Sequence, residues 1–199
     1  MQVGGSDVWV DALAVDGSDL IGMRNNGVGS RLVSIDPNTG VASLVGTGVL
    51  GLAAVAGEVD DAGIYWVVYT DEPDDGDATP EDSRLFLGVV DTFSGVASIP
   101  VPILDGLTQV TASGSDAGLL VTCTGDLQLY AGGTVYDLGA LGSASVIEDL
   151  SGTSIQSASG VAFSGQGAIV WESDAADDLF RHEGGVISAF ATDPVAGNA

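Results

Sequence analysis

Apolar and polar positions in this 199-residue chain alternate in short runs and rarely repeat at helical spacing. Residues 14–23 read AVDGSDLIGM, 32–40 read LVSIDPNTG and 162–171 read AFSGQGAIVW. Each places two apolar segments around a cluster of small or polar turn residues, the pattern of short strands joined by tight turns. Glycine supplies 30 residues and interrupts nearly every stretch long enough for a helix. The chain therefore reads as all-β.

The hairpins repeat. LVSIDPNTG at 32–40 aligns without a gap with LGVVDTFSG at 87–95. Val-Ala-Ser follows both, and Ser-Arg-Leu precedes both. Such a segment is a strand, an Asp-initiated turn closed by a glycine at positive φ, and a return strand. Pro37 pre-sets the φ that the first turn needs. A second kind of hairpin is expected at 14–23, 55–67, 112–122 and 162–171, with Gly17, Gly57, Gly114 and Gly165 as turn glycines. Two further hairpins, at 127–138 and 179–190, carry Gly-Gly turns. The chain thus divides into four units of about 40–50 residues, at 7–48, 49–104, 105–150 and 151–193.

Residues 34–46, SIDPNTGVASLVG, resemble the blade hairpin of bacterial and archaeal β-propeller-like repeat proteins. In these an ID-x-x-TG turn, here from Ile35 to Gly40, recurs once per blade. The resemblance implies a β-propeller-like fold of about four blades, each a four-stranded antiparallel sheet, in a single repeat domain over 1–199. A β-sandwich built from the same hairpins is the alternative. Four blades are few for a closed ring, so the ring is either small or completed by another chain. A strand over 7–13 is placed to complete the last blade. The motif marks a blade and not a function.

Charge narrows the partners. Twenty-eight acids face four basic residues, all arginine, for a net charge of −24. Such a chain lacks the cations to displace counterions from nucleic acid, and it is repelled by an anionic bilayer. Its apolar runs are too short for a membrane span, so membrane insertion is not expected. No secretory signal is visible at the first residues. Absence of lysine suits a halophilic or a high-GC host. Asp exceeds Glu, and aspartates at turn positions such as Asp16, Asp36, Asp91 and Asp116 fit the strand-and-turn reading.

Candidate chemistry is sparse. Gly46 to Gly51 spells GxGxxG, and Asp71 lies 20 residues beyond it, the outline of a dinucleotide fingerprint. That reading needs a helix over 49–61, which holds Gly51 and Gly57, so the glycines are assigned to a link between units. The loop 71–82, DEPDDGDATPED, could hold Ca²⁺ through Asp71, Asp74, Asp75, Asp77 and Asp82. EF-hand spacing fails there, because Pro73 takes a ligand position, and a solvated loop tip is the plainer reading. The loop at 173–178 is a smaller case. His182, the only histidine, falls in the expected turn of the hairpin 179–190 and reads as exposed. Cys123, the only cysteine, ends an apolar run and reads as a small buried residue. Tyr65, Trp66 and Tyr69 read as core more readily than as a sugar-stacking surface. Residues 24–27, Arg-Asn-Asn-Gly, form a turn or a contact loop.

No catalytic constellation emerges, and no cofactor beyond Ca²⁺ is suggested. The expectation is a non-enzymatic structural or binding protein whose partners are other subunits of an assembly. A tail or capsid accessory component of a virion fits the composition. An extracellular carbohydrate- or surface-binding module, Ca²⁺-dependent through 71–82, is the alternative, with a cell-surface glycan as partner.

Overall fold

The computed structural model describes residues 2–3, 6–7, 10–71, 82–113, 117–151, 153, 155, 158–163, 168–172, 179–183 and 185–191. Among them there is no helix, and the strands fall into four mainly antiparallel sheets. The first sheet holds β1 (Gln2–Val3), β2 (Ser6–Asp7), β3 (Asp11–Asp16), β4 (Asp19–Asn25), β5 (Gly29–Ile35), β6 (Val41–Leu44) and β7 (Val49–Leu50). The second is the meander β8 (Ala53–Val59), β9 (Tyr65–Thr70), β10 (Asp82–Val90) and β11 (Val101–Pro102). A short hairpin, β12 (Leu104–Asp105) and β13 (Thr108–Gln109), and the strand β14 (Thr111–Ser113) follow. The third sheet is built on β15 (Ala117–Val121), β16 (Leu127–Ala131), β17 (Thr134–Leu138) and β18 (Ser143–Asp149), with β12–β13 added along β18. The fourth is β19 (Ala158–Phe163), β20 (Ala168–Glu172), β21 (Leu179–Glu183) and β22 (Val186–Ala191).

The first strands of the four meanders pack side by side in the order β3, β8, β15, β19. Among the described residues no comparable packing joins β19 back to β3. Each seam between successive sheets holds its own apolar cluster. Met23 and Leu32 meet Tyr65 and Tyr69 at the first seam, Leu85 and Ile103 meet Leu119 and Leu129 at the second, and Leu120 and Val135 meet Val170 at the third. The run from Tyr65 to Tyr69 is apolar without alternation because β9 lies between two seams: Tyr65, Val67 and Tyr69 face the first sheet while Val68 faces the third.

The repeated turns have the same hydrogen bonding. Gly40 N–H donates to Asp36 O at 2.8 Å, and Gly95 N–H donates to Asp91 O at 2.8 Å. Each aspartate carboxylate also accepts from the backbone two residues on, at Asn38 (2.8 Å) and Phe93 (3.1 Å). These donors hold both carboxyls below the usual aspartate range. The first copy returns directly into β6. In the second, only a bridge from Val90 to Ala97 forms before the chain resumes pairing at β11.

Three expectations about the hairpins are corrected. Gly57 is not a turn residue; it lies within β8, under the Tyr65 ring, and the turn falls at 60–63. The hairpin expected at 112–122 does not form, because β14 pairs with β10 and β15 pairs with β16. The segment around 7–13 does not extend the fourth sheet: β1 pairs in parallel with β6, and β3 pairs with β4. Gly114 and Gly165 lie outside the described residues.

Candidate functional site

Among the described residues, a three-residue cluster of polar side chains sits at the third seam. Tyr130 on β16, Glu148 on β18 and His182 on β21 come from three strands of two sheets. The Tyr130 hydroxyl is 2.8 Å from His182 Nδ1, and His182 Nε2 is 2.8 Å from Glu148 Oε2. Tyr130 and His182 rings also meet edge to face, 5.8 Å between centroids. A carboxylate only accepts, so Nε2 carries a proton and donates to Glu148. In the neutral ring Nδ1 then accepts from the Tyr130 hydroxyl. The result is a directed chain, hydroxyl to imidazole to carboxylate. Burial, reinforced by the Glu148 charge, pushes the Tyr130 hydroxyl far above the ordinary phenol range.

The register explains the meeting. Tyr130 of β16 and Leu120 of β15 share the third-seam cluster, and on β21 Phe180, which packs against that cluster, lies on the same sheet face as His182. The His182 side chain is only 10% exposed, which corrects the expectation of an exposed turn residue. The hairpin turn begins after β21 ends at Glu183, one residue beyond it. A pocket of about 400 Å³ opens beside the three side chains, with Leu120, Gln128 and Ile147 on its wall.

A second cavity, of about 310 Å³, lies where the first strands converge. Its wall takes residues from all four sheets, including Ala12, Gly57, Gly118 and Val161. Asp11 is the charged member of that wall. Burial raises its carboxyl above the usual range, opposed by the hydrogen bond from Asn25 Nδ2 at 2.8 Å. Asn25 continues the network. Its Oδ1 accepts from Ser30 Oγ at 2.6 Å and from Ala54 N–H at 2.9 Å, tying the first sheet to β8. So within 24–27, Asn25 is a structural joint and Asn26 caps the turn through Val28 N–H. The Tyr65 hydroxyl donates to the Ala12 carbonyl, at a β3 bulge where Ala12 takes a φ of +49°.

Of the acidic loop, Asp74, Asp75 and Asp77 lie outside the described residues. Asp82 opens β10, and Asp71 follows β9 with its carboxylate engaged by Arg84, whose Nε donates to Oδ2 at 2.6 Å. The loop at 173–178 is also outside the described residues. The GxGxxG segment opens no helix. Its residues lead through β7 into β8, and a Cβ at Gly46 would lie 2.6 Å from Gly95 O, so the glycine permits the turn of the second sheet to press on the first. Cys123 is exposed, against expectation, because β15 ends at Val121 and the thiol falls in the following turn. Tyr65 and Tyr69 are fully buried, and Trp66 donates Nε1–H to Asp60 at 2.9 Å.

The seam chain was missed because nothing local marks it. Tyr130, Glu148 and His182 are separated by 18 and 34 residues, and only packing of the fourth sheet on the third unites them.

No protein-family model matches the chain, and no curated protein matches its sequence. Among solved structures it is similar to the PQQ-bound form of aldose sugar dehydrogenase from Streptomyces coelicolor, with a TM-score of 0.50 and 14% identity over 94% of this chain and 83% of that one. It is also similar to the polysaccharide lyase Uly1, with a TM-score of 0.44 and 14% identity over 92% of this chain and 49% of that one. Identity at this level makes the likeness to the dehydrogenase one of fold alone.

Proposed function

We propose that this chain is a non-enzymatic, propeller-like binding protein that works as a subunit of a larger assembly, in the first instance a tail or capsid accessory component of a virion. The side-by-side order of the four first strands supports a propeller-like arrangement over a sandwich, because a sandwich packs sheets face to face as two layers. The observation that carries the assembly reading is the exposure of large apolar side chains at turns and links. Phe93 is 95% exposed, Ile99 90%, Leu107 101% and Leu141 85%. Phe93 and Leu141 occupy equivalent places, the turn between the third and fourth strands of successive meanders. Solvated apolar tips of this size contribute nothing to the fold and favour contact with a partner. The seam chain favours a structural role as well, since both His182 nitrogens are already occupied.

Mass spectrometry of purified particles tests the reading. The chain is expected among the particle proteins, and Phe93→Ser with Leu141→Ser should lower its incorporation while leaving its β-type circular dichroism unchanged. Absence of the chain from the particles would overturn the virion role, and unchanged incorporation of the double variant would overturn the role of the tips.

A further inference from the structure

The four arginines are distributed unevenly. Arg84 is paired with Asp71, and Arg181 is engaged within the fold. Arg24 on β4 and Arg31 on β5 are instead direct cross-strand partners, so two like charges stand opposite one another on a single sheet face. Opposed like charges in a ladder are destabilising. Both side chains are half-buried. Among the described residues neither guanidinium has a hydrogen-bond or ion-pair partner, and Arg31 Nε is buried without one. In a chain with 28 acids, two adjacent arginines with no acidic partner among the described residues are unexpected. The backbone holds them in place. A Cβ at Gly48 would lie 3.1 Å from the Arg31 Cβ, so the link after β6 presses on that strand, and the buried Val33 and Ile35 anchor β5 on the same face.

We propose that Arg24 and Arg31 form a binding site for a divalent oxyanion, a sulfate or phosphate group. Guanidinium forks on two directly paired residues carry several N–H donors within reach of one group, and such forks recognise oxyanions bidentately. A bound dianion relieves the repulsion between the two cations and gives Arg31 Nε a partner. A free ion and an ester group on a larger ligand share this chemistry.

The side-chain Nε–H spectrum of the ¹⁵N-labelled protein contains four arginine signals, one per residue, assignable from Arg24→Gln and Arg31→Gln. Titration with sodium sulfate against sodium chloride at matched ionic strength is expected to shift the Arg24 and Arg31 signals saturably, with Arg84 and Arg181 unmoved. Arg31→Gln should weaken the midpoint at least tenfold. Arg31→Lys, which keeps the charge and loses the fork, should fall between. A sulfated or phosphorylated monosaccharide binding more tightly than the free ion would identify an ester group as the ligand, and the reverse a free ion. Equal, non-saturating shifts of all four signals, or none, would overturn the site. If Arg31→Gln fails to fold, the wild-type titration and Arg31→Lys still decide it.

Discussion

The Tyr130 hydroxyl and His182 Nδ1 lie 2.8 Å apart across a seam that no described backbone ladder crosses. With Glu148 they form a polar link between the third and fourth sheets, set in an otherwise apolar cluster. Tyr130→Phe removes the donor and leaves Nδ1 largely buried without a partner. The expected cost is about 1–3 kcal/mol in denaturant unfolding. Glu148→Gln keeps an acceptor for Nε2 and should cost less. A Tyr130→Phe protein as stable as wild type would show that the link is not stabilising.

Two glycines should resist substitution for different reasons. At Gly57 a Cβ would lie 2.8 Å from Tyr65 Cε2 and 3.1 Å from the Ala12 Cβ, so Gly57→Ala overpacks the first seam. A loss of about 1–3 kcal/mol is expected. Gly95 has a φ of +67° and a would-be Cβ 2.5 Å from Val45 O. Backbone cannot give as a side chain can, so Gly95→Ala should be the more damaging, beyond the roughly 1–2 kcal/mol of its left-handed conformation alone. Thermal unfolding of the two variants ranks them.

The carboxylates pull stability in opposite directions with pH. Asp36 and Asp91 are lowered by their turn hydrogen bonds. Their contribution is present above the unfolded carboxylate range, near pH 4, and is lost as pH falls through the lower folded values. Asp11 and Glu58 are raised by burial. Their contribution is full below the unfolded range and is lost as pH rises through the higher folded values. Asp11→Asn should therefore narrow the loss of stability as pH rises above about 4, whereas Asp91→Ala should narrow the loss below about pH 4. Midpoints measured on both sides of that pH check both; an unchanged profile in Asp11→Asn would contradict a desolvated Asp11.

Cys123 is exposed in the turn after β15. One thiol per chain should react with a thiol reagent in the native protein, at a rate that denaturant raises only a few-fold. Slow labelling that waits for unfolding would place the side chain inside.

Much of the architecture was legible because it is local. Turns at Asp36–Gly40 and Asp91–Gly95 follow from an aspartate that caps its own backbone and a glycine free to take positive φ, both properties of a few adjacent residues. The hairpins at 127–138 and 179–190 follow from alternation around Gly-Gly, and the all-β character follows from glycine placed where helices would need to run. Strand partners at the unit boundaries were not local. Nothing in TASGS at 111–115 says that β14 joins β10, since the choice rests on which edge is open once the second sheet has formed. The fates of His182 and Cys123 were likewise decided by where a strand ends, a matter of one or two residues.

The amino-acid sequence by itself determined a repeated strand-and-turn chain, strongly acidic, with its aspartates concentrated in turns. Tertiary structure alone decided that Tyr130, Glu148 and His182 form one hydrogen-bonded chain, that Asp11 is desolvated, and that Arg24 and Arg31 stand opposite each other with no partner among the described residues. The reason is physical. Turn chemistry acts over a few bonds, but register and seam packing join residues tens of positions apart, and their energies depend on surfaces that exist only once the sheets have formed.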